Sequence, residues 1–182
     1  MEPFLLTPGP LTTSKRTKEA MLRDWGSRDN AFTNITRNIR SKLVKLVHGG
    51  DDYVCVPIQG SGTFAVESMI GSLTNEKSKI LILVNGAYGN RMKKICDYLK
   101  RKYIIYETNE NEPPDVNVLD NILKNDQEIT RLLVVHCETT SGILNPIEKI
   151  AKVAKQKNKK IYIDAMSSFG SIPINLKNNN YD

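Results

Sequence analysis

The chain has 182 residues, 40% of them hydrophobic and 25% charged, a balance too apolar for a disordered polypeptide and ordinary for one folded domain. At this length folding buries roughly 70% of the surface that the unfolded chain exposes, so a core can form without disulfides or a structural metal. Lys and Arg number 26 against 20 Asp and Glu, a net charge of +6. Much of that surplus lies in Lys152, Lys155, Lys157, Lys159 and Lys160, which read as a solvated helix end. No aromatic platform interleaves them, so a nucleic-acid partner is not expected.

Cys55, Cys96 and Cys137 are odd in number and stand 41 residues apart in each step, which matches neither a disulfide framework nor a zinc ligand set; reduced thiols are expected. The stretch from Met1 to Pro10 has no basic region followed by an apolar core. No apolar run nears the ~18 to 20 residues of a membrane span. The expectation is a soluble, cytoplasmic protein with no membrane partner.

In chain order, Thr7-Pro8-Gly9-Pro10 is an extended or turning arm, because proline excludes both a helix interior and a central strand. Thr17–Asp24 and Ile35–Val47 predict helices, the second with Ile35, Ile39, Leu43, Leu46 and Val47 on one stripe. His48-Gly49-Gly50 ends it, with glycine expected to supply the left-handed cap. Five short apolar runs follow: Tyr53–Ile58, Ile80–Val84, Tyr103–Tyr106, Leu132–Val135 and Ile161–Ile163. They predict strands buried on both faces. Their starts fall 27, 23, 29 and 29 residues apart, room for a strand and one crossover helix. Thr63–Leu73, Tyr88–Lys102, Val116–Lys124 and Ile147–Lys157 carry the apolar residues at helical steps that such crossovers need. The class is α/β with a mainly parallel sheet; residues 1–50 form an arm and helices, residues 51–182 the sheet domain, and Asn178 to Asn180 a surface turn.

Parallel sheets place ligand sites at the carboxyl ends of their strands. After the first run comes Gln59-Gly60-Ser61-Gly62-Thr63, small residues and hydroxyls at a helix start, suited to a phosphate or to ordinary helix capping. No Gly-Lys-Ser/Thr or full dinucleotide glycine spacing is present, which ranks a nucleotide-binding protein low. After the second comes Asn85-Gly86-Ala87-Tyr88-Gly89, where Tyr88 is either a stacking platform for a planar cofactor or a core ring. After the fourth comes His136-Cys137-Glu138-Thr139-Thr140-Ser141-Gly142, with Glu138 read as a capping carboxylate and His136 as a satisfied strand-end histidine. The fifth ends in Asp164-Ala165-Met166-Ser167-Ser168. A carboxylate there pays a desolvation cost unless a cation, such as a pyridinium nitrogen, or local backbone N–H groups meet it.

These motifs together with Leu6–Ser14, Arg23-Asp24-Trp25, Gln59–Glu67, Cys137–Pro146 and Ile163–Gly170 resemble the class V, fold-type I pyridoxal-phosphate-dependent aminotransferases. Among these they resemble the family that moves the amino group of 2-aminoethylphosphonate to pyruvate, giving phosphonoacetaldehyde and L-alanine. The resemblance covers essentially the whole chain. It implies a three-layer α/β/α sandwich, the aspartate aminotransferase-like large domain in incomplete form, with pyridoxal 5'-phosphate as cofactor and a homodimer as the intact enzyme. It implies that Ser61, Gly62 and Thr63 cradle the cofactor phosphate. It puts Tyr88 and Met166 on the two faces of the ring, Thr139 or its neighbour Thr140 at the ring hydroxyl, and Asp164 at the pyridine nitrogen. The segment Asp24-Trp25-Gly26-Ser27-Arg28-Asp29 departs from the family pattern at Gly26 and Arg28.

The same resemblance puts a Schiff-base lysine about two dozen residues past the aspartate, whereas the chain runs only 18 residues past Asp164. Lys177 comes too early and lacks the surrounding pattern. The expectation is therefore the amino-terminal part of an aminotransferase, without the lysine and the small carboxyl-terminal domain and inactive alone. The alternatives are a non-catalytic cofactor-binding or interaction module on the same scaffold, or another class V aminotransferase.

Overall fold

A computed structural model describes residues 4–7, 9–179 and 181; Pro8 of the arm and Asn180 of the expected terminal turn lie outside them, and Asn178 and Asn179 of that turn belong instead to a short helix. In chain order the elements are α1 (Lys15–Ala20), α2 (Asn30–Leu46), α3 (Gly62–Leu73), β1 (Lys79–Val84), α4 (Ala87–Tyr98), β2 (Lys102–Glu107), α5 (Val116–Asn125), β3 (Ile129–Val135), β4 (Cys137–Glu138), β5 (Ile143–Leu144), α6 (Ile147–Gln156), β6 (Lys160–Asp164) and α7 (Leu176–Asn179). Strands β2, β1, β3 and β6, in that spatial order, make one sheet. All of its pairings are parallel. Strands β4 and β5 form a separate antiparallel pair.

The period of two along each strand divides the apolar side chains between two cores. Leu81 and Leu83 of β1 and Leu132 and Val134 of β3 pack with Leu119 and Leu123 of α5 and Ile147, Ile150 and Ala154 of α6. Ile80, Ile82 and Val84, with Leu133 and Val135, pack on the other face with Ile70 of α3 and Met92, Ile95 and Cys96 of α4. The result is the expected three layers. At its amino edge Lys79 bridges Asp126 at 2.5 Å and Glu128 at 3.3 Å. In the basic stretch at the end of α6, Lys157 reaches Asp120 at 3.1 Å and Lys159 donates to the carbonyl of Gln127 at 3.0 Å. Among the described residues no helix is long and apolar enough to cross a membrane. The three cysteines are free thiols.

Three expectations are corrected. The first run, residues 53–58, is extended but not in the sheet: Val54, Val56 and Ile58 are 74%, 68% and 42% exposed. Pattern and propensity favour a strand there, but a strand needs a neighbour to accept its ladder, and none is present among the described residues. The carbonyl of Cys55 instead accepts from Arg40 Nε at 2.7 Å. An apolar cavity of about 640 Å³, bounded by Val54, Cys55, Ile163 and Phe169, separates this segment from β6. Second, burial on both faces holds for β1 and β3. Strand β2 sits at the edge of the sheet and is only partly covered. Third, the left-handed residue that caps α2 is His48, at φ 53°, and not a glycine; Gly50, two residues on, is left-handed as well at φ 64°.

His48 belongs to a pattern repeated at three helix ends. After α2, the N–H of His48 donates to Lys45 O at 3.1 Å and that of Gly49 to Val44 O at 3.0 Å. After α4, Lys100 and Arg101 donate to Asp97 and Cys96 at 3.1 and 2.8 Å. After α6, Asn158 and Lys159 donate to Lys155 and Ala154 at 3.0 and 2.9 Å. Each is the paired carbonyl cap of a Schellman turn, whose left-handed position glycine fills at least cost. Here it is filled by His48, Lys100 and Asn158, at φ 53°, 53° and 55°. The tight turn at Lys100 is what stops α4 short of the predicted end at Lys102. Lys100 is exposed, so Lys100→Gly removes left-handed strain with little lost contact. We expect a gain of about 1 kcal/mol in urea unfolding; a loss of stability would show that the lysine side chain is itself bound.

Candidate active site

The chain runs from β1 outward to β2 and then back across β1 to β3, so neighbouring strands β1 and β3 lead away in opposite directions. Such a switch point opens a crevice at the carboxyl edge of the sheet. There the two strands are tied by a buried amide pair. Asn85 Nδ2 donates to Asn145 Oδ1 at 2.8 Å, and Asn145 Nδ2 donates to Asn85 Oδ1 at 3.1 Å and to Val135 O at 2.8 Å.

Beside this crevice a cavity of about 170 Å³ is lined by Ser61, Gly62 and Thr63, by Tyr88 and Arg91, and by Asp164 and Met166, with Val66 and Met92 behind them. Six of the eight residues singled out in the sequence thus meet in one place. Ser61 precedes α3 but makes no side-chain capping bond, so the capping account of its hydroxyl does not hold. Met166 lies over Gly62, where a Cβ would come within 3.2 Å of the Met166 Sδ. Asp164 Oδ1 accepts from the Met166 N–H at 2.9 Å. Burial pushes the Asp164 carboxyl above its ordinary range, with Glu138 adding to the rise, while the Met166 bond and the charge of Arg91 oppose it.

The other two residues, Thr139 and Thr140, do not line the cavity. The Thr139 hydroxyl pairs with Ser167, next to Met166. The Thr140 hydroxyl donates to Glu138 Oε1 at 2.9 Å, and it accepts from the Ala87 N–H at 3.4 Å. Glu138 is 0% exposed. Its carboxylate accepts from the N–H groups of Tyr88 and Gly89 at 3.2 and 3.3 Å, and from that of Thr140 at 3.4 Å. It is the capping carboxylate of α4, supplied from β4 rather than from the helix's own cap residue, Gly86. A Cβ on Gly86 would lie 2.4 Å from Glu138 Cγ. His136 is also satisfied: its Nδ1 and Ser168 Oγ are 2.8 Å apart, and burial lowers its pKa. In the departing segment, the Gly26 N–H donates to Asp29 Oδ2 at 3.3 Å and Asp29 N–H to Gly26 O at 3.0 Å. Gly26 therefore forms the turn that opens α2.

The sequence model of the family described as "Aminotransferase class-V" matches residues 12–182. The chain belongs to the class V aminotransferases. This family works with pyridoxal phosphate. The chain is 49% identical over 180 residues to the 2-aminoethylphosphonate--pyruvate transaminase of Pseudomonas fluorescens, covering 99% of this chain and 49% of that protein. It is 49% identical over 180 residues to the one from Pseudomonas aeruginosa, covering 99% of this chain and 48% of that one. The chain thus spans about half the length of the curated relatives it matches. Among solved structures, the alanine--glyoxylate aminotransferase of Nostoc sp. superposes with a TM-score of 0.91 at 25% identity, over 100% of this chain and 48% of that one. The pyridoxamine-pyruvate aminotransferase of Mesorhizobium loti gives 0.88 at 25% identity, over 97% and 45%.

Two features of this class V site are absent from the sequence reading. Gly86 has no visible role until Glu138 is placed against it. Arg91 was within reach of sequence reasoning, since it follows Tyr88 by three residues on the predicted helix and shares its face. Glu138→Gln puts an amide donor among backbone donors and removes the charge that faces the start of α4. We expect a loss of about 2 kcal/mol in urea unfolding. Gly86→Ala, which drives a methyl into the same carboxylate, should cost at least as much. An unchanged midpoint for both would show that the α4 cap is dispensable.

Proposed function

We propose that the enzyme carrying this chain is a transaminase that moves the amino group of 2-aminoethylphosphonate to pyruvate, forming phosphonoacetaldehyde and L-alanine. The observation that carries the reading is the 49% identity, over 99% of the chain, to a transaminase of that name. The cavity supports it, because its residues fit pyridoxal phosphate at both ends. The hydroxyls of Ser61 and Thr63 stand at the start of α3 beside a guanidinium, a setting suited to a phosphate. The desolvated carboxylate of Asp164 suits a ring cation.

In this reading Ser61, Gly62 and Thr63 hold the phosphate, and Tyr88 and Met166 close on the two faces of the ring. Thr139 serves the ring hydroxyl, because its hydroxyl bonds Ser167 beside Met166 and keeps capacity for a further bond, whereas the Thr140 hydroxyl already donates to Glu138 and accepts from Ala87. When bound, the cofactor supplies an electron sink for the carbon that gives up its proton. Asp164 keeps the ring nitrogen protonated by remaining ionised beside it. The lysine that carries the proton lies outside the matched half: no lysine lines the cavity among the described residues, and the Lys177 side chain packs by Gly50 at the far end of α2. The intact enzyme would be a cytoplasmic homodimer.

The test is an assay of the intact enzyme with pyruvate and either 2-aminoethylphosphonate or other primary amines. Phosphonoacetaldehyde and alanine should form, with 2-aminoethylphosphonate the preferred donor by kcat/KM. Preference for a donor without a phosphonate would point to another class V aminotransferase.

Asp164 gives a sharper test, since its proposed work is on the cofactor and not on the fold. Its raised carboxyl means that ionising it costs folding energy. That cost is absent below the ordinary carboxylate range and appears as the pH rises through the raised value. Asp164→Asn should therefore melt at or above the parent temperature at pH 7 without cofactor, with the difference vanishing toward pH 3. In the holoenzyme it should lower turnover by on the order of 100-fold, about 2.7 kcal/mol. Equal losses of stability and turnover would make Asp164 a local backbone cap.

A further inference from the structure

Among the described residues lining the cavity, the guanidinium of Arg91 is the sole positive charge. Helix α4 carries it one turn past Tyr88, and its central carbon lies 4.5 Å from the centroid of the Tyr88 ring, so the planar group is held against the aromatic face. From there Nη1 donates to Thr63 Oγ1 at 3.0 Å. A threonine hydroxyl has acceptor lone pairs but only one proton. With a guanidinium on its acceptor side, Thr63 keeps its proton for an acceptor within the cavity. Ser61, two residues earlier, likewise spends no hydroxyl bond on capping α3.

We infer that Arg91 sets the anion preference of this cavity by turning the Thr63 hydroxyl into a donor, so that the Ser61–Thr63 end takes a doubly charged phosphate monoester. The inference rests on the cofactor reading above and adds a residue to it. Two phosphorus anions belong to the proposed reaction, the cofactor phosphate and the substrate phosphonate. Arg91 is assigned to the first, because its hydrogen bond goes to the helix start where Thr63 and Ser61 stand together. Acting through Thr63, it is a positioning residue.

The experiment titrates the intact apoenzyme with pyridoxamine 5'-phosphate and with pyridoxamine, by calorimetry, for the parent, Arg91→Met, Thr63→Val and the double variant. Arg91 is exposed, so Arg91→Met should melt as the parent does. It should weaken pyridoxamine 5'-phosphate by about tenfold and leave pyridoxamine within about twofold. The double variant should bind the phosphorylated ligand no worse than Thr63→Val alone, the mark of a charge acting through that hydroxyl. The KM for 2-aminoethylphosphonate should not move. Equal weakening of both ligands would place the effect in the Tyr88 ring and overturn the inference. So would full additivity with Thr63→Val, or a raised KM for 2-aminoethylphosphonate at unchanged cofactor affinity. A parent enzyme that binds pyridoxamine as tightly as its phosphate would instead sink the cofactor reading, whatever the variants do.

Discussion

A buried carboxylate that meets no salt-bridge cation among the described residues sets the geometry of this site. Glu138 is fully enclosed, and an ion so placed costs several kcal/mol unless hydrogen bonds replace its water. They come from the first turn of α4, where the N–H groups of Tyr88 and Gly89 have no partner within the helix, and from Thr140. The exchange satisfies both sides: the helix start gains an anion and the anion gains donors. It requires close approach, and Gly86 permits it. Because β4 presses its carboxylate against the start of α4, the rotation of that helix is fixed. Tyr88 and Arg91 then lie on the side of α4 that meets α3, where Arg91 reaches Thr63.

Asp164 occupies the opposite condition. The turn that carries it is anchored from behind: the His136 N–H donates to Asp164 O at 2.8 Å, and the His136 ring holds Ser168. The backbone is therefore well restrained while the carboxylate itself has the Met166 N–H as its donor. Burial then raises its pKa, where Glu138 finds a ring of donors. Two acidic residues, at the ends of β4 and β6, have thus separated into a group already satisfied by the fold and a group left short of partners among the described residues. The second is where a ligand cation gains most, since its arrival repays a desolvation already incurred.

The core strands and crossover helices were legible because period and length agree: Ile80–Val84 and Leu132–Val135 are too short and too uniformly apolar for helices, and the segments between them repeat at helical steps. Residues 53–58 have the same local character but no neighbouring strand, and pairing is a property of two segments, invisible in one. His48 shows the converse. The sequence offered two glycines, and the turn placed its left-handed residue one position earlier, because the helix had already ended at Leu46. Tyr88 and Asp164 were legible from strand ends, since the parallel topology brings the carboxyl ends of β1 and β6 to one edge, whereas Ser61, Gly62 and Thr63 follow residues 53–58, which stand outside the sheet, and reach the cavity at the start of α3. What could not be read was which hydroxyl is committed to the start of α4. Thr139 and Thr140 are equivalent in sequence, and only the placement of Glu138 and Ala87 distinguishes them. The shares that solved relatives and this chain have in common extend the point: the frame is recovered at 25% identity, whereas the contacts that divide satisfied from unsatisfied groups depend on individual side chains.

The cavity therefore has a polarity. Toward α3 it presents hydroxyl donors, a helix start and the Arg91 guanidinium; toward β6 it presents a desolvated carboxylate. A ligand with an anion at one end and a cationic ring at the other meets complementary charge along its whole length, whereas either charge alone meets half. The two poles also act on each other, for the charge of Arg91 already opposes the rise in the Asp164 pKa. An anion placed at the first pole would offset that charge, so the arrangement suits one molecule carrying both an anion and a cation better than either ion alone.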